Sequence, residues 1–149
     1  MSKILVIGDA CTDIFIYGEC SRLSPDAPVP IFLPRETRHN GGMAANVAAN
    51  LKELGIDCDT LCSIESIEKT RYVDQQTNHM FLRVDTGEGI VQRVRDLTKE
   101  KLQEYKIIVI SDYNKGFLQE EDISFICESH SNVFMDTKKI LGPWSAKAT

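Results

Sequence analysis

The chain has 149 residues, of which 42% are hydrophobic, and its 17 Lys plus Arg against 22 Asp plus Glu give a formal charge of −5. Length and hydrophobic share fit one globular core, while the acidic balance, with no basic cluster interleaved with aromatics, argues against a nucleic-acid partner. The apolar runs "ILVIG" and "IIVI" are far shorter than the ~20 residues of a membrane-crossing helix, and "MSKILVIGDA" lacks a signal peptide's apolar core, so the sequence predicts a cytoplasmic protein with no membrane partner.

Along the chain, residues 4–7 form an apolar run that ends in "GDACTD", the pattern of a buried strand feeding a polar loop. Pro25, Pro28, Pro30 and Pro34 forbid a helix, so "PVPIFLPRETR" is extended, as an edge or protruding strand outside the main core. After Gly41 and Gly42, the residues Ala44, Val47, Ala48, Leu51 and Leu54 recur at helical spacing, and Gly55 supplies a stop. "CDTLCSI" predicts a second parallel strand. In "EKTRYVDQQTNHMFLRVD" two alternating runs, 70–74 and 79–85, flank "QQTN" as a β-hairpin would, and with the proline-broken strand they can build a small separate sheet. A polar helix is predicted over 98–105 with Thr98 as its N-cap. "KIIVISDYNKG" is a further strand, "LQEEDISFICESH" an amphipathic helix carrying Ile123, Phe125, Ile126 and Cys127, and "NVFMDTKK" another strand. Strand, helix, strand at this spacing gives a parallel α/β unit.

Cys11, Cys20, Cys58, Cys62 and Cys127 are odd in number and irregularly spaced, which predicts reduced thiols rather than a disulfide framework. Cys58 and Cys62 have no second pair to complete a zinc site, and His39, His79 and His130 are scattered, so no metal centre is expected.

In open parallel sheets ligands bind beyond the carboxyl ends of the strands. The residues there are Asp9 and Asp13, then Asp112, Asn114 and Lys115, then Asp136, Lys138 and Lys139. Carboxylates accept from vicinal hydroxyls and ammonium groups neutralise phosphate, so this set suits a ligand carrying both; the plainer reading is ordinary loop and cap residues. Gly41 and Gly42 admit two readings as well: a ligand lying against the backbone at a helix start, with Asn46 adding its amide, or a tight turn needing positive φ. The sequence has no G-x-x-x-x-G-K-[ST] loop, and "TGEGI" is a lone G-x-G.

The stretches "IGDACTDIFIYGECSRLSPDAPVPIF", "GGMAANVAANLKELG", "KTRYVDQQTNHMFLRVD", "VISDYNKG" and "VFMDTKK" together resemble, in order and over nearly the whole chain, the N-terminal half of the ribokinase-like (PfkB) carbohydrate kinases. The nearest branch is that of the D-glycero-β-D-manno-heptose-7-phosphate kinases, to which "SRLSPDAPVP" is specific. The resemblance implies a single truncated α/β domain over 1–149, with a Rossmann-like parallel sheet and a small β lid drawn from about 15–38 and 69–85. It implies that the lid serves as a homodimer interface, and that ATP and Mg²⁺ deliver a phosphoryl group to a sugar or sugar phosphate. Asp13 then matches the sugar-hydroxyl-binding aspartate, and Gly41, Gly42 and Asn46 match the Gly-Gly sugar motif. Lys69 and Arg71 of the lid join them as substrate-binding candidates. Asp112, Lys115, Asp136 and Lys138 are the phosphate-binding candidates.

The sequence departs from that pattern twice. Only a few residues separate "CDTLCSI" from "EKTRY", where such kinases carry a further helix and strand. The Asn-x-x-Glu metal motif, the Gly-Ala-Gly-Asp anion hole and the catalytic aspartate would fall beyond Thr149, so no residue here is assigned as general base. The expectation is a kinase-derived chain that alone binds sugar phosphate weakly and turns over no ATP. The alternatives are a non-catalytic sugar-phosphate-binding or dimerisation module, and a relic whose exposed edge strand and apolar face invite pairing or aggregation.

Overall fold

The computed structural model describes residues 3–64, 67–89 and 91–149. Ile90, which closes "TGEGI", and Glu65 and Ser66, between "CDTLCSI" and "EKTRY", lie outside the described residues. The elements in chain order are β1 (Ile4–Gly8), β2 (Ala10–Leu23), β3 (Pro30–Met43), α1 (Ala44–Glu53), β4 (Cys58–Cys62), β5 (Ile67–Asp74), β6 (Met80–Thr86), α2 (Lys99–Gln103), β7 (Ile107–Asp112), α3 (Glu120–Ser129) and β8 (Val133–Thr137).

They make two sheets. The body sheet has the order β4-β1-β7-β8, and every pairing in it is parallel. Its central strands are buried on both faces, which is why they read as near-continuous apolar runs. Leu5 and Ile7 of β1, with Ile108 and Ile110 of β7, face Leu102 of α2 and Ile123 and Ile126 of α3. Val6 points the other way, onto Ala44 and Ala48 of α1 and Cys58 of β4. Small residues at 44 and 48 let α1 lie close on the sheet. Phe125 is 39% exposed and Leu54 75% exposed, so neither belongs to the apolar stripe predicted for its helix. Leu54 fails because α1 ends at Glu53 and Leu54 is its C-cap. Thr98 caps α2, its hydroxyl accepting from the Lys101 amide at 3.3 Å.

The second sheet, built from the segments expected to form the lid and called by that name below, has the order β3-β2-β5-β6, with β2 and β5 parallel and the two outer pairs antiparallel. Here the sequence reading needs correction. "ACTD" was expected to be a polar loop, yet β2 starts at Ala10, one residue after β1 ends. Alternation explains it: Cys11, Asp13, Phe15 and Tyr17 share one face, the first three lining the space toward the body, while Thr12, Ile14 and Ile16 take the other, so polar and apolar residues are mixed along the strand. Cys11, Met43 and Ile67 form a small buried cluster at the seam of lid and body.

Among the described residues no helix is long and apolar enough to cross a membrane. All five cysteines are free thiols.

Candidate functional site

Three lid strands and the end of β7 converge on a pocket of about 400 Å³. Register places the side chains. Asp13 pairs with Asn40 of β3 on one side and with Lys69 of β5 on the other, and Phe15 pairs with Arg71, so all five point to one face of the lid. Gly41, Gly42 and Asn46 close the pocket from the β3–α1 junction, and Tyr113, the residue after β7, closes it from the body.

The arrangement around Asp13 is specific. Arg71 Nη1 donates to Asp13 Oδ1 at 2.7 Å and to the Lys69 carbonyl at 3.2 Å, with side chains only 18% and 23% exposed. The guanidinium also lies 5.0 Å from the Phe15 ring centroid, where the ring's negative face attracts it. Asp13 Oδ2 has no hydrogen-bond partner among the described residues. It faces Gly42, where an added Cβ would come within 2.6 Å of Oδ2 and would overlap Cys11 Sγ more closely still.

That settles what the paired glycines do. They are not the start of the helix, as expected, but lie two residues and one residue before the end of β3. Neither has positive φ. The residue that does is Met43, at φ 55 and ψ −128, and it turns the chain into α1. Gly42 therefore keeps space for Asp13 and Cys11, while Gly41, whose added Cβ would stand 3.0 Å from the Ala45 methyl, leaves an exposed backbone beside the exposed Asn46 amide.

Lys69 shares the pocket with the open carboxylate oxygen, and two further cations stand near its rim. The Lys69 ammonium is 5.8 Å from the Tyr113 ring centroid and the Lys138 ammonium 5.7 Å from the same centroid. Arg83 lies one strand further out, bonded to Asp85 at 2.6 Å and within the electrostatic reach of Asp13. Burial pushes the Cys11 thiol above its ordinary value, opposed by the Lys69 charge, so this cysteine sits in the pocket wall as a neutral group.

The strand-end residues divide sharply. Asp13, Gly41, Gly42, Asn46, Lys69 and Arg71 share one pocket. Lys138 touches its edge through Tyr113. Lys115 turns away, to Glu88 at 2.5 Å, and Asp136 is exposed on β8. Asp112 is sealed inside: its side chain is 0% exposed and accepts from Lys139 Nζ at 2.7 Å, from the Thr137 hydroxyl at 2.6 Å and from the Asn114 amide at 3.1 Å. With its oxygens engaged it offers nothing to a phosphate, so as a phosphate ligand it is withdrawn. Asp9 is likewise filled by three backbone amides. Among the described residues no three His, Cys, Asp or Glu side chains come together as a metal site.

Phe15, Asn40 and Tyr113 were not singled out from the sequence. Phe15 would have followed from reading residues 10–23 as a strand, because it lies two after Asp13 and so on the same face. Tyr113 directly follows Asp112, but its approach to Lys69 depends on how two sheets meet.

No protein-family model matches the chain. Sequence relatives exist: it is 35% identical over 152 residues to a bifunctional protein HldE of Helicobacter acinonychis, which takes in 79% of this chain and 33% of that one. It is 33% identical over 180 residues to an HldE of Helicobacter pylori, with 93% and 38% covered, and 30% identical over 163 residues to an HldE of Rhodopseudomonas palustris, with 86% and 33% covered. The chain thus spans about a third of the length of the curated relatives it matches, and an alignment of 180 positions is longer than the chain, so that relative carries residues inside the matched stretch that this chain lacks. Among solved structures, a carbohydrate kinase from Agrobacterium tumefaciens superposes with a TM-score of 0.51 at 11% identity, covering 99% of this chain and 56% of that one. A phosphofructokinase-2 variant from Escherichia coli gives 0.50 at 9% identity, with 91% and 53% covered. These last two are likenesses of fold.

Proposed function

We propose that this chain, ribokinase-like in fold and akin in sequence to the HldE proteins, forms the sugar-binding part of a carbohydrate kinase whose acceptor is a phosphorylated sugar of the heptose 7-phosphate type. One observation carries the reading. Asp13 Oδ2 is an open acceptor for sugar hydroxyls, and it stands in the same pocket as Lys69 and Arg71, whose charges suit a phosphate. Asn46 and the exposed Gly41 backbone add neutral polar groups suited to the rest of a sugar.

ATP with Mg²⁺ is the phosphoryl donor in this reading, and such transfer is catalysed mainly by positioning and charge neutralisation. The described carboxylates explain why the chain alone should not complete it. A general base must be free to take the proton of the attacking hydroxyl, whereas Asp112 is held by Lys139 and Asp9 is saturated by amides, and the open oxygen of Asp13 is read here as a binding group beside the Arg71 guanidinium. The chain is therefore expected to bind sugar phosphate and to turn over no ATP by itself. Calorimetric titration with heptose 7-phosphate tests this. Saturable binding lost in Asp13→Ala supports it, and heat no greater than with inorganic phosphate overturns it.

The second reading, a non-catalytic sugar-phosphate-binding or dimerisation module, draws on the lid's outer face, where Ile14 and Ile16 of β2 line up with Val84 and Leu82 of β6 across Thr70 and Tyr72 of the intervening β5. Leu82 is 51% and Val84 40% exposed, and a second copy of the lid would cover them. In both readings the chain is a homodimer through this face. Light scattering at a monomer mass for both the natural chain and Leu82→Asp would refute the dimer. ATP turnover stimulated by heptose 7-phosphate would instead refute the idea that the chain alone is inactive.

A further inference from the structure

The buried carboxylate of Asp9 binds nothing that a ligand could reach, yet it sits where the two walls of the pocket meet. We infer that Asp9 is the positioning residue of that pocket, tying the wall that carries Tyr113 to the wall that carries Gly41, Gly42 and Asn46. The inference rests on the sugar-pocket reading above.

Asp9 is 1% exposed. Its Oδ2 accepts from the Tyr113 amide at 2.8 Å and the Lys115 amide at 3.2 Å, and its Oδ1 accepts from the Phe117 amide at 3.2 Å. Three amides can turn toward one carboxylate because the loop coils tightly: Asn114 has φ 56 and Gly116 has φ 111, which rotates successive N–H groups into one concavity. The Asp9 carbonyl meanwhile accepts from the Ala44 amide at 3.0 Å, the first of α1. One residue thus fixes the helix start that follows Gly41, Gly42 and Met43, and the loop that presents Tyr113.

Tyr113 is the contact through which this matters. Its ring meets Lys69 of the lid and Lys138 beyond β8 at nearly equal distances, so the loop sets where the ring stands between two ammonium groups at the pocket wall. Asp9 also explains the abrupt passage between sheets, because its side chain is anchored on the body while Ala10 already belongs to the lid.

Asparagine cannot replace it. An Asn side chain has one oxygen, so its NH₂ group would face an amide donor at Phe117 or at Tyr113 and Lys115. Asp9→Asn is expected to weaken heptose 7-phosphate binding about ten- to hundredfold and to speed hydrogen exchange at Tyr113, Lys115 and Phe117. A merely structural residue would weaken binding independently of Tyr113, so the double variant with Tyr113→Ala decides the role. The expected loss in the double variant is little more than in Tyr113→Ala alone, and additive losses overturn the inference. If Asp9→Asn does not fold, exchange in the natural chain still tests the tether: fast exchange at those three amides refutes it. A natural chain that binds no heptose 7-phosphate while protecting the three amides refutes the pocket reading, and leaves Asp9 a tether with no ligand to position.

Discussion

Gly42→Ala is a one-carbon test of the pocket. The added Cβ would stand 2.6 Å from Asp13 Oδ2 and 3.1 Å from Asp13 Cγ, and would overlap Cys11 Sγ. Neither neighbour can move freely: Asp13 is held by Arg71 at 2.7 Å, and Cys11 is buried with Met43 and Ile67. Overpacking of this kind costs about 1–3 kcal/mol. Relief by displacing Asp13 would also take away the open acceptor, so affinity for heptose 7-phosphate should fall about tenfold or more. Adding Cys11→Ala removes the sulfur overlap and leaves the 2.6 Å approach to Asp13. Stability, read by urea unfolding, should recover while affinity, read by calorimetry, should not. Gly41→Ala meets only the Ala45 methyl, at 3.0 Å, and should be milder in both assays. Natural affinity and stability in Gly42→Ala would refute the claim that the glycine exists to keep Asp13 in place.

Arg71→Met removes the guanidinium that orients Asp13, and binding should weaken about ten- to hundredfold; titration showing less than about a twofold change would show that Asp13 needs no such partner. Lys139→Met leaves the sealed Asp112 carboxylate without its ammonium, a loss of about 3–5 kcal/mol, and a urea midpoint near that of the natural chain would contradict it. Burial, with Asp9 nearby, pushes the Cys62 thiol from 9.0 up to about 11. Between those values the unfolded chain has lost a proton that the folded chain keeps, so the thiol's contribution is intact below about pH 9 and is lost as pH rises toward about 11. The urea midpoint should fall across that window in the natural chain and stay flatter in Cys62→Ala; equal slopes would dismiss the thiol as the cause.

Much of the body was legible because parallel strands buried on both faces leave uninterrupted apolar runs, as at Ile4–Gly8 and Ile107–Asp112. The lid hairpin was legible from its alternation. β2 was not, since Thr12 and Asp13 look like loop residues until Cys11, Phe15 and Tyr17 are seen on their own face. At the site, Asp13, Lys69 and Arg71 could be named from the sequence, but which carboxylates remain open could not. That depends on pairs far apart in the chain, such as Asp112 with Lys139 and Asp9 with the 113–117 amides. The paired glycines admitted a ligand or a tight turn from the sequence, and at Gly42 the space is taken by the Cys11 and Asp13 side chains, which no local pattern announces.

The pairing of β2 with β5, and of β1 with β7, has a consequence for the chain as it is made. β1 and β2 are made before their partners, and β2 waits for Ile67–Asp74 and β1 for Ile107–Asp112 before their second edges close. At ~5–20 residues per second of synthesis, the β1 edge stays open for on the order of 5–20 s. Contacts so distant in sequence also make folding slow after release. The newborn chain therefore passes that interval with one open edge on each of β1 and β2, a state that a holding chaperone would recognise.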